Sequence, residues 1–338
     1  AAGRPGYTRG VTKPSPTPPS EIEALARERA AARADREYAR ADALRAEIEA
    51  AGWRVVDHGT AYRLEPAAPP TTEDVGVVRY GSAAAVPSVL DVPATAAFTV
   101  LLLADDWPDD LARTLGGLRA NAPAGTQVVI VANDPAPEQA ALLAPGSADL
   151  EPVGGTEPQV LWTSARLGYA AALNAGLNRA CGSVVVLADT SVEPTGDALT
   201  PLAGALADPD VAVAGGFGLA SPDLRHFTEA VGPDVDAIGA YWLAFRRADL
   251  STLGPLDEKF VFYRNLDIWW SLVLRAGADP AQPPRRALRL DLPLVRHEHR
   301  GWTSLPAAER DRLSRRNFYR VLDRFRDRTD LLAGSSAG

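Results

Sequence analysis

The chain has 338 residues, 46% of them hydrophobic, enough for one large domain and one small one with buried cores. Its 43 acidic residues outnumber 35 basic ones, a net charge of −8, which argues against bulk nucleic-acid binding and leaves room only for a local basic face. The single cysteine, Cys181, excludes an intramolecular disulfide framework and a multi-cysteine zinc site, and no apolar run is long enough to span a bilayer.

Residues 1–20 are rich in Gly, Pro, Thr and Ser and read as a linker or disordered tail without the apolar core of a signal peptide, so a cytoplasmic location is expected. Ser20-Glu21-Ile22-Glu23 has the pattern of a capping box. The helix it opens is expected to reach Ala51 with Gly52 as its stop, and a break near Ala34-Asp35 is compatible with its polar faces. A hairpin follows, Trp53–Val56 and Tyr62–Leu64, turning through Asp57-His58-Gly59-Thr60. This small module spans 21–66, and 67–96 is a Pro/Ala/Thr-rich connector with one short strand, Val75–Tyr80.

Strands and helices alternate from Phe98. The pattern predicts strands at Phe98–Ala104, Gln127–Ala132, Val160–Thr163, Val184–Leu187, Val211–Ala214, Ile238–Arg246, Arg286–Leu290 and Leu294–His297. Helices are predicted at Pro108–Arg119, Pro137–Leu143, Ala170–Ala180 with Gly182 as its C-cap, 196–207, Arg247–Leu253 and Asn265–Arg275. A basic amphipathic helix closes the chain within 306–338. Successive strand–helix units predict an α/β fold, a mostly parallel sheet with helices on both faces, across 97–305.

Four clusters carry polar chemistry. Asp105-Asp106 and Asn133-Asp134 each follow a strand and belong at the carboxyl edge of the sheet, where they either contact a nucleoside or open the next helix as Asx turns. In an extended Asp189-Thr190-Ser191-Val192-Glu193, residues 189, 191 and 193 share a face, suited either to a hard cation carrying a diphosphate or to helix capping. Asn265 and Asp267 stand at a helix start, as cap and first-turn acid or as a polar group facing a reacting centre. His297 and His299 lie two apart before Gly301, which excludes a His-Glu-x-x-His helix and suits one metal ligand or a phosphate contact.

Two resemblances rest on longer stretches. The segment ARERAAARADREYARADALRAEIEAAGWRVVDHGTAYRL is similar to the C-terminal segment of cysteinyl-tRNA synthetases, matching at Arg29, Arg33, Ala41-Asp42, Leu44-Arg45, Gly52, Asp57 and Gly59, with the rest of a synthetase absent. Its balanced charge favours a packing or oligomerisation piece over a tRNA contact. Residues 97–303 resemble a family 2 glycosyltransferase of GT-A fold, through ARLGYAAALNAGLNRACGSVVVLADTSVEP, the Gly-x-Leu-Asp-Glu-x-Phe turn at 254–260 with the helix after it, and VRHEHRGWTS.

This second resemblance implies transfer of a sugar from a nucleoside diphosphate sugar to an acceptor hydroxyl, with inversion and with Mg²⁺ or Mn²⁺ on the leaving diphosphate. It implies that Asp105, Asn133, Asp134, Arg166, Gly168, Asn174 and Asp189 bind the nucleotide sugar. The metal falls to Asp189 with His297 or His299, helped by Ser191 or Glu193. Asp267 or Asp257 is then the base, and Trp242, Trp269, Trp270 and Trp302 offer surfaces for sugar rings. The chain departs from the family at two chemical positions: Ser191 replaces the second Asp of Asp-x-Asp, and Asn265 stands where the usual base stands. The implied partners are the donor and a glycan, lipid-linked or small-molecule acceptor, in envelope polysaccharide or glycoconjugate synthesis, at the inner face of the membrane or free of it. A homo-oligomer through either terminal helix is open, and a non-catalytic GT-A scaffold is the alternative function.

Overall fold

The computed structural model describes residues 18–58, 61–66, 70–74, 76–147 and 150–333, and the chain divides into two compact units at Pro70/Thr71. The expected tail at 1–17, the turn residues Gly59 and Thr60, and Val75 lie outside the described residues.

The first unit contains α1 (Ser20–Ala34), α2 (Tyr38–Ala50) and an antiparallel hairpin, β1 (Trp53–His58) and β2 (Ala61–Pro66). Its core is Ile22, Ala26, Ile48, Trp53 and Val55. The expected single helix is two, because Arg36 adopts φ 61° and breaks the backbone ladder between them. The capping box does not form: Pro19 is the N-cap, and Ser20 is already the first helical residue. Arg29, 5% exposed, donates to both Asp57 oxygens at 2.9 Å, and Arg33 reaches the same carboxylate, which ties α1 to β1. The pairing holds the Asp57 carboxyl below the ordinary carboxylate range.

The second unit is built on a ten-stranded sheet. In chain order its first elements are β3 (Thr71–Asp74), β4 (Val77–Tyr80), β5 (Ala96–Ala104), α3 (Pro108–Asn121), β6 (Gln127–Ala132), α4 (Pro137–Leu142), β7 (Gln159–Thr163), α5 (Tyr169–Leu177) and β8 (Gly182–Ala188). Then come β9 (Val192–Pro194), α6 (Thr200–Leu206), β10 (Val211–Gly215), β11 (Gly218–Ala220), β12 (Thr228–Ala230), β13 (Asp234–Val235), β14 (Ala237–Ile238) and β15 (Trp242–Arg246). The chain ends through α7 (Ala248–Leu253), α8 (Leu266–Ala276), β16 (Arg286–Arg289), β17 (Leu294–Arg296), α9 (Arg300–Thr303) and α10 (Ala307–Phe325).

The sheet order is β13-β16-β10-β15-β8-β5-β6-β7-β4-β3. The stretch β8-β5-β6-β7-β4 is parallel throughout, and β15 joins it antiparallel to β8. Strands of this stretch alternate between two buried faces. Val100, Leu102 and Ala104 pack with Leu111, Leu115, Leu202 and Leu206 from α3 and α6, while Leu101, Val129 and Val131 pack with Leu173 and Leu177 of α5. This is the expected mostly parallel α/β sheet with helices on both faces. No described helix is long and apolar enough to cross a membrane.

Several boundaries differ from the sequence reading, four of them in ways that shape the sheet or the cavity. The connector at 67–96 contributes a hairpin, β3–β4, whose second strand runs beside β7 in the main sheet. The helix expected at 196–207 starts only at Thr200, because Asp197 accepts the backbone N–H groups of Leu199 and Thr200 at 3.0 Å. The long strand at 238–246 is interrupted after Ile238, which frees Ala240 to face a cavity. Gly182 is the first residue of β8 and not a helix cap. A Cβ there would lie 2.2 Å from the Phe98 carbonyl carbon and 2.3 Å from the Thr99 nitrogen, so only glycine lets β8 approach β5. Gly182→Ala is therefore expected to destabilise the protein by roughly 2 kcal/mol or more, read as a shift of the denaturant midpoint at constant slope.

Candidate active site

The parallel strands β5, β6, β7 and β8 end along one edge, and the polar residues that follow them converge there. They line a cavity of about 520 Å³, whose other walls are the start of α5, the 261–263 loop and the 299–305 segment.

Asn133 organises the inner wall. Its Nδ2 donates to Asp105 Oδ1 at 3.1 Å and to the Leu167 carbonyl at 3.2 Å, while its Oδ1 accepts the Leu167 N–H at 2.8 Å. At 2% exposure the amide is spent on joining the ends of three strands, and it presents Asp105 and Leu167 to the cavity. Burial pushes the Asp105 carboxyl above its ordinary range, against the pull of Arg166. Arg166 bonds Asp106 and the Asp134 carbonyl and lines the cavity with its side chain half exposed.

Asp189 stands at the end of β8. Its Oδ1 accepts the Ser191 N–H at 2.8 Å and the Ser191 hydroxyl, and its Oδ2 lies 3.2 Å from His299 Nε2. Burial opposes the charge, but the His299 ring and then Ser191 outweigh it and hold the carboxyl below its ordinary range. Burial opposes the imidazolium too, yet Asp189 raises His299 above its ordinary value. Tyr263 stacks on His299 with ring centroids 4.5 Å apart.

The Asp189–His299 spacing suits a shared cation. Two ligands each about 2.1 Å from a metal and at right angles lie about 3 Å apart. No group of three His, Cys, Asp or Glu side chains gathers for a metal among the described residues, so any cation there needs oxygens from a substrate, as Mg²⁺ sites on phosphates do.

Several expected site residues are elsewhere. Glu193 of β9 and His297, just after β17, bond each other at 2.8 Å, and neither lines the cavity, so the expected five-residue metal set divides into this pair and a cavity group of Asp189, Ser191 and His299. Asp134 has φ 49° and an exposed side chain outside the cavity. Gly168 does not border the cavity; it lets Val261 pass close by, since a Cβ would lie 3.2 Å from the Val261 Cα. The first amides of α5 are taken as well, Tyr169 N–H by Val261 and Ala170 N–H by Phe260.

Asn174 is a buried clasp, donating to the Leu256 carbonyl at 2.9 Å and accepting the Leu256 N–H at 3.0 Å. Asp257 accepts the Lys259 N–H at 3.0 Å and lies outside the cavity. Asn265 sits at φ 69° with its amide donating to the Ser314 carbonyl of α10 at 2.9 Å, turned to structure and not to a reacting centre. Trp242, Trp269 and Trp270 are core residues, and Trp302 lies between Arg264 and Arg310, 5.3 and 4.7 Å from its ring.

Asp267 is half-buried beside the cavity. It accepts the Ile268 N–H at 2.9 Å and the N–H of Ala240, a cavity residue, at 3.3 Å. Burial drives its carboxyl above the ordinary range.

The sequence reading missed two residues here. Trp107 lines the cavity with φ 66°, a backbone state that bulky residues rarely adopt. Its position after β5 was legible, but its strain was not. Arg300 also lines the cavity, held 3.5 Å from the buried carboxylate of Asp110. With Arg166 it gives the site two guanidinium groups, each paired to an acid of the 106–110 segment. Because Asn174 serves only the 256–258 turn, bonding the Leu256 backbone and Glu258 Oε1 at 3.2 Å, Asn174→Ala is expected to cost about 2 kcal/mol of unfolding free energy, measured by denaturation, as buried polar groups lose their partner.

Residues 105–253 match the sequence model of Glycosyl transferase family 2, and residues 15–62 match that of the Cysteinyl-tRNA ligase anticodon binding domain. A cysteine–tRNA ligase of Opitutus terrae (strain DSM 11246 / JCM 15787 / PB90-1) is 50% identical over 56 residues, which cover 17% of this chain and 12% of the ligase. Among solved structures, GalNAc-T7 with UDP, GalNAc and Mn²⁺ superposes with a TM-score of 0.51 at 15% identity, over 77% of this chain and 51% of that one. The mannosyltransferase PcManGT of Pyrobaculum calidifontis, in complex with GDP-Man and Mn²⁺, gives 0.42 at 21% identity over 61% and 57%. The chain thus spans about half of the first solved relative and a small part of the ligase. The second unit has the GT-A glycosyltransferase fold, its residues 105–253 carry the family 2 pattern, and the first unit carries the pattern of a cysteinyl-tRNA ligase anticodon binding domain.

Proposed function

We propose that the second unit transfers a sugar from a nucleoside diphosphate sugar to an acceptor hydroxyl, with inversion. The observation that carries this reading is the Asp189–His299 pair, 3.2 Å apart at the end of β8, inside a cavity that the family 2 segment 105–253 lines together with residues 261–305. The nucleoside lies against Asp105 and Trp107, and Asn133 acts by fixing that wall. Arg166 and Arg300 meet the diphosphate. Asp189 and His299, with the Ser191 hydroxyl behind Asp189, would hold Mn²⁺ or Mg²⁺. Such a cation neutralises the charge that develops on the leaving diphosphate.

Asp267 takes the acceptor proton. Its carboxyl is raised by burial, which makes it a stronger base than a solvated aspartate, and two backbone amides fix its orientation. Tyr263, stacked on His299, and the 261–263 loop close the acceptor side and exclude water. The acceptor is a glycan, a lipid-linked sugar or a small molecule of envelope polysaccharide or glycoconjugate synthesis, and the reaction is cytoplasmic. Nucleic acid is not a substrate, and the first unit serves packing or self-association. One observation favours a second reading, a GT-A protein that binds donor without turnover: Asn265 is an amide bonded to α10 where the family carries its base.

A panel of nucleotide sugars with Mn²⁺ distinguishes them. The enzyme releases nucleoside diphosphate, and Asp267→Asn lowers kcat by about 10²–10⁴-fold with donor affinity kept. Tight binding with no release by the unaltered protein supports the second reading. The rate is expected to rise with pH through a step displaced above the ordinary carboxylate range, because the basic form of Asp267 appears only above its raised pKa. Mn²⁺ affinity in the presence of a saturating nucleoside diphosphate, titrated by calorimetry, is expected to fall more than about tenfold in His299→Ala and to stay unchanged in Glu193→Gln. An equal loss in both would return Glu193 to the metal site.

A further inference from the structure

We infer that the outward face of α10 is a docking surface for an anionic phospholipid bilayer. The inner face of this helix packs on the protein. Val321 and Phe325 are in the core, and Asn317 Nδ2 donates to the Phe262 carbonyl at 2.7 Å and the Arg264 carbonyl at 2.8 Å. The opposite face is a shallow groove of Arg312, Arg315, Arg316 and Arg320 around Tyr319, which is 58% exposed.

Arg312 is bidentate to Glu309, at 2.8 and 2.6 Å. Arg315, Arg316 and Arg320 meet no carboxylate at ion-pair distance among the described residues, although Asp311 and Asp323 border the groove. Like charges spaced four apart, 312 with 316 and 316 with 320, weaken a helix. In a chain of net charge −8 this concentration of uncompensated guanidinium groups is not a by-product of composition. It points to an anion supplied from outside.

The arrangement selects the anion. Arg312 to Arg320 extend about 12 Å along the helix, at 1.5 Å per residue, in an open, shallow groove. That matches a plane of headgroup phosphates better than one enclosed anion. Tyr319 is the only aromatic lining the groove, whereas a nucleic-acid strand calls for several stacking rings. A single exposed aromatic with a polar tip beside a basic face suits the headgroup level of a bilayer. Since Asn317 and the Ser314 carbonyl of the same helix hold residues 262–265, docking places this wall of the cavity at a fixed distance from the lipid surface. The inference does not depend on the transfer reaction.

The test is co-sedimentation of the full chain with vesicles of phosphatidylcholine alone or with about one-third phosphatidylglycerol. Binding is expected to the anionic vesicles only and to fall as salt shortens the screening length. Arg315→Gln with Arg316→Gln should weaken partition about 25-fold, about fivefold per arginine, the equivalent of ~1 kcal/mol each. Arg315→Lys with Arg316→Lys should retain binding, which separates charge from folding should the Gln variant lose its helix. Equal binding to neutral vesicles, salt-independent binding, or unchanged partition of a folded Gln variant would overturn the inference. Release by millimolar inorganic phosphate at constant ionic strength, or preference for an RNA oligonucleotide, would overturn it equally by reassigning the groove.

Discussion

The pairing of Asp189 with His299 is the constraint on which the candidate site depends. A carboxylate at the end of a buried parallel strand loses water on most sides, and that loss pushes its carboxyl upward. Its carboxyl is nonetheless held below the ordinary range, chiefly because the chain, after crossing the sheet several more times, returns an imidazole to within 3.2 Å. The return also brings Arg300 and Gly301 over the cavity and lets Tyr263 stack on the ring. One ion pair therefore sets the charge of the β8 edge and places the far wall. Removing either partner would leave the other half-buried and unpaired, a costlier state than removing both.

A second constraint acts from behind the acceptor loop. Asn265 and Asn317 face each other's backbones: one amide donates to Ser314 on α10, the other to Phe262 and Arg264 on the loop. Both use N–H donors on carbonyl acceptors. An aspartate at 265 would set a negative oxygen against the Ser314 carbonyl, losing a hydrogen bond and adding repulsion. The amide at this position is thus consistent with the packing of α10, while the next carboxylate, Asp267, does not line the cavity and touches it through the N–H of Ala240.

Much of this fold was legible because its strands are continuous apolar runs. Gln127–Ala132 and Gly182–Ala188 are almost wholly buried, the pattern of strands covered by helices on both faces. The acids after each strand were legible for the same reason, since a parallel strand delivers whatever follows it to one edge. What escaped were roles fixed by distant segments. Asn174 and Gly168 sit in a motif-like stretch, yet both serve the turn at 256–261, which folds onto α5. Trp242, Trp269 and Trp270 are apolar in a helix or strand and were absorbed by the core, while Trp107 reached the cavity through a positive φ that no periodicity encodes.

The histidines show the limit most clearly. Two apart in an extended strand, their rings would share a face and compete for one metal. But β17 ends at Arg296, and the chain turns at once into α9, with His299 Nδ1 accepting the Trp302 N–H at 3.1 Å as its cap. The period of two stops applying between the rings. His297 stays with the strand and meets Glu193; His299 follows the turn and meets Asp189. The spacing that a sequence shows is informative only while one element spans it. Here the strand ends just before the first ring and the next helix begins just after the second, so the expected metal set divides into a Glu193–His297 pair outside the cavity and Asp189, Ser191 and His299 inside it.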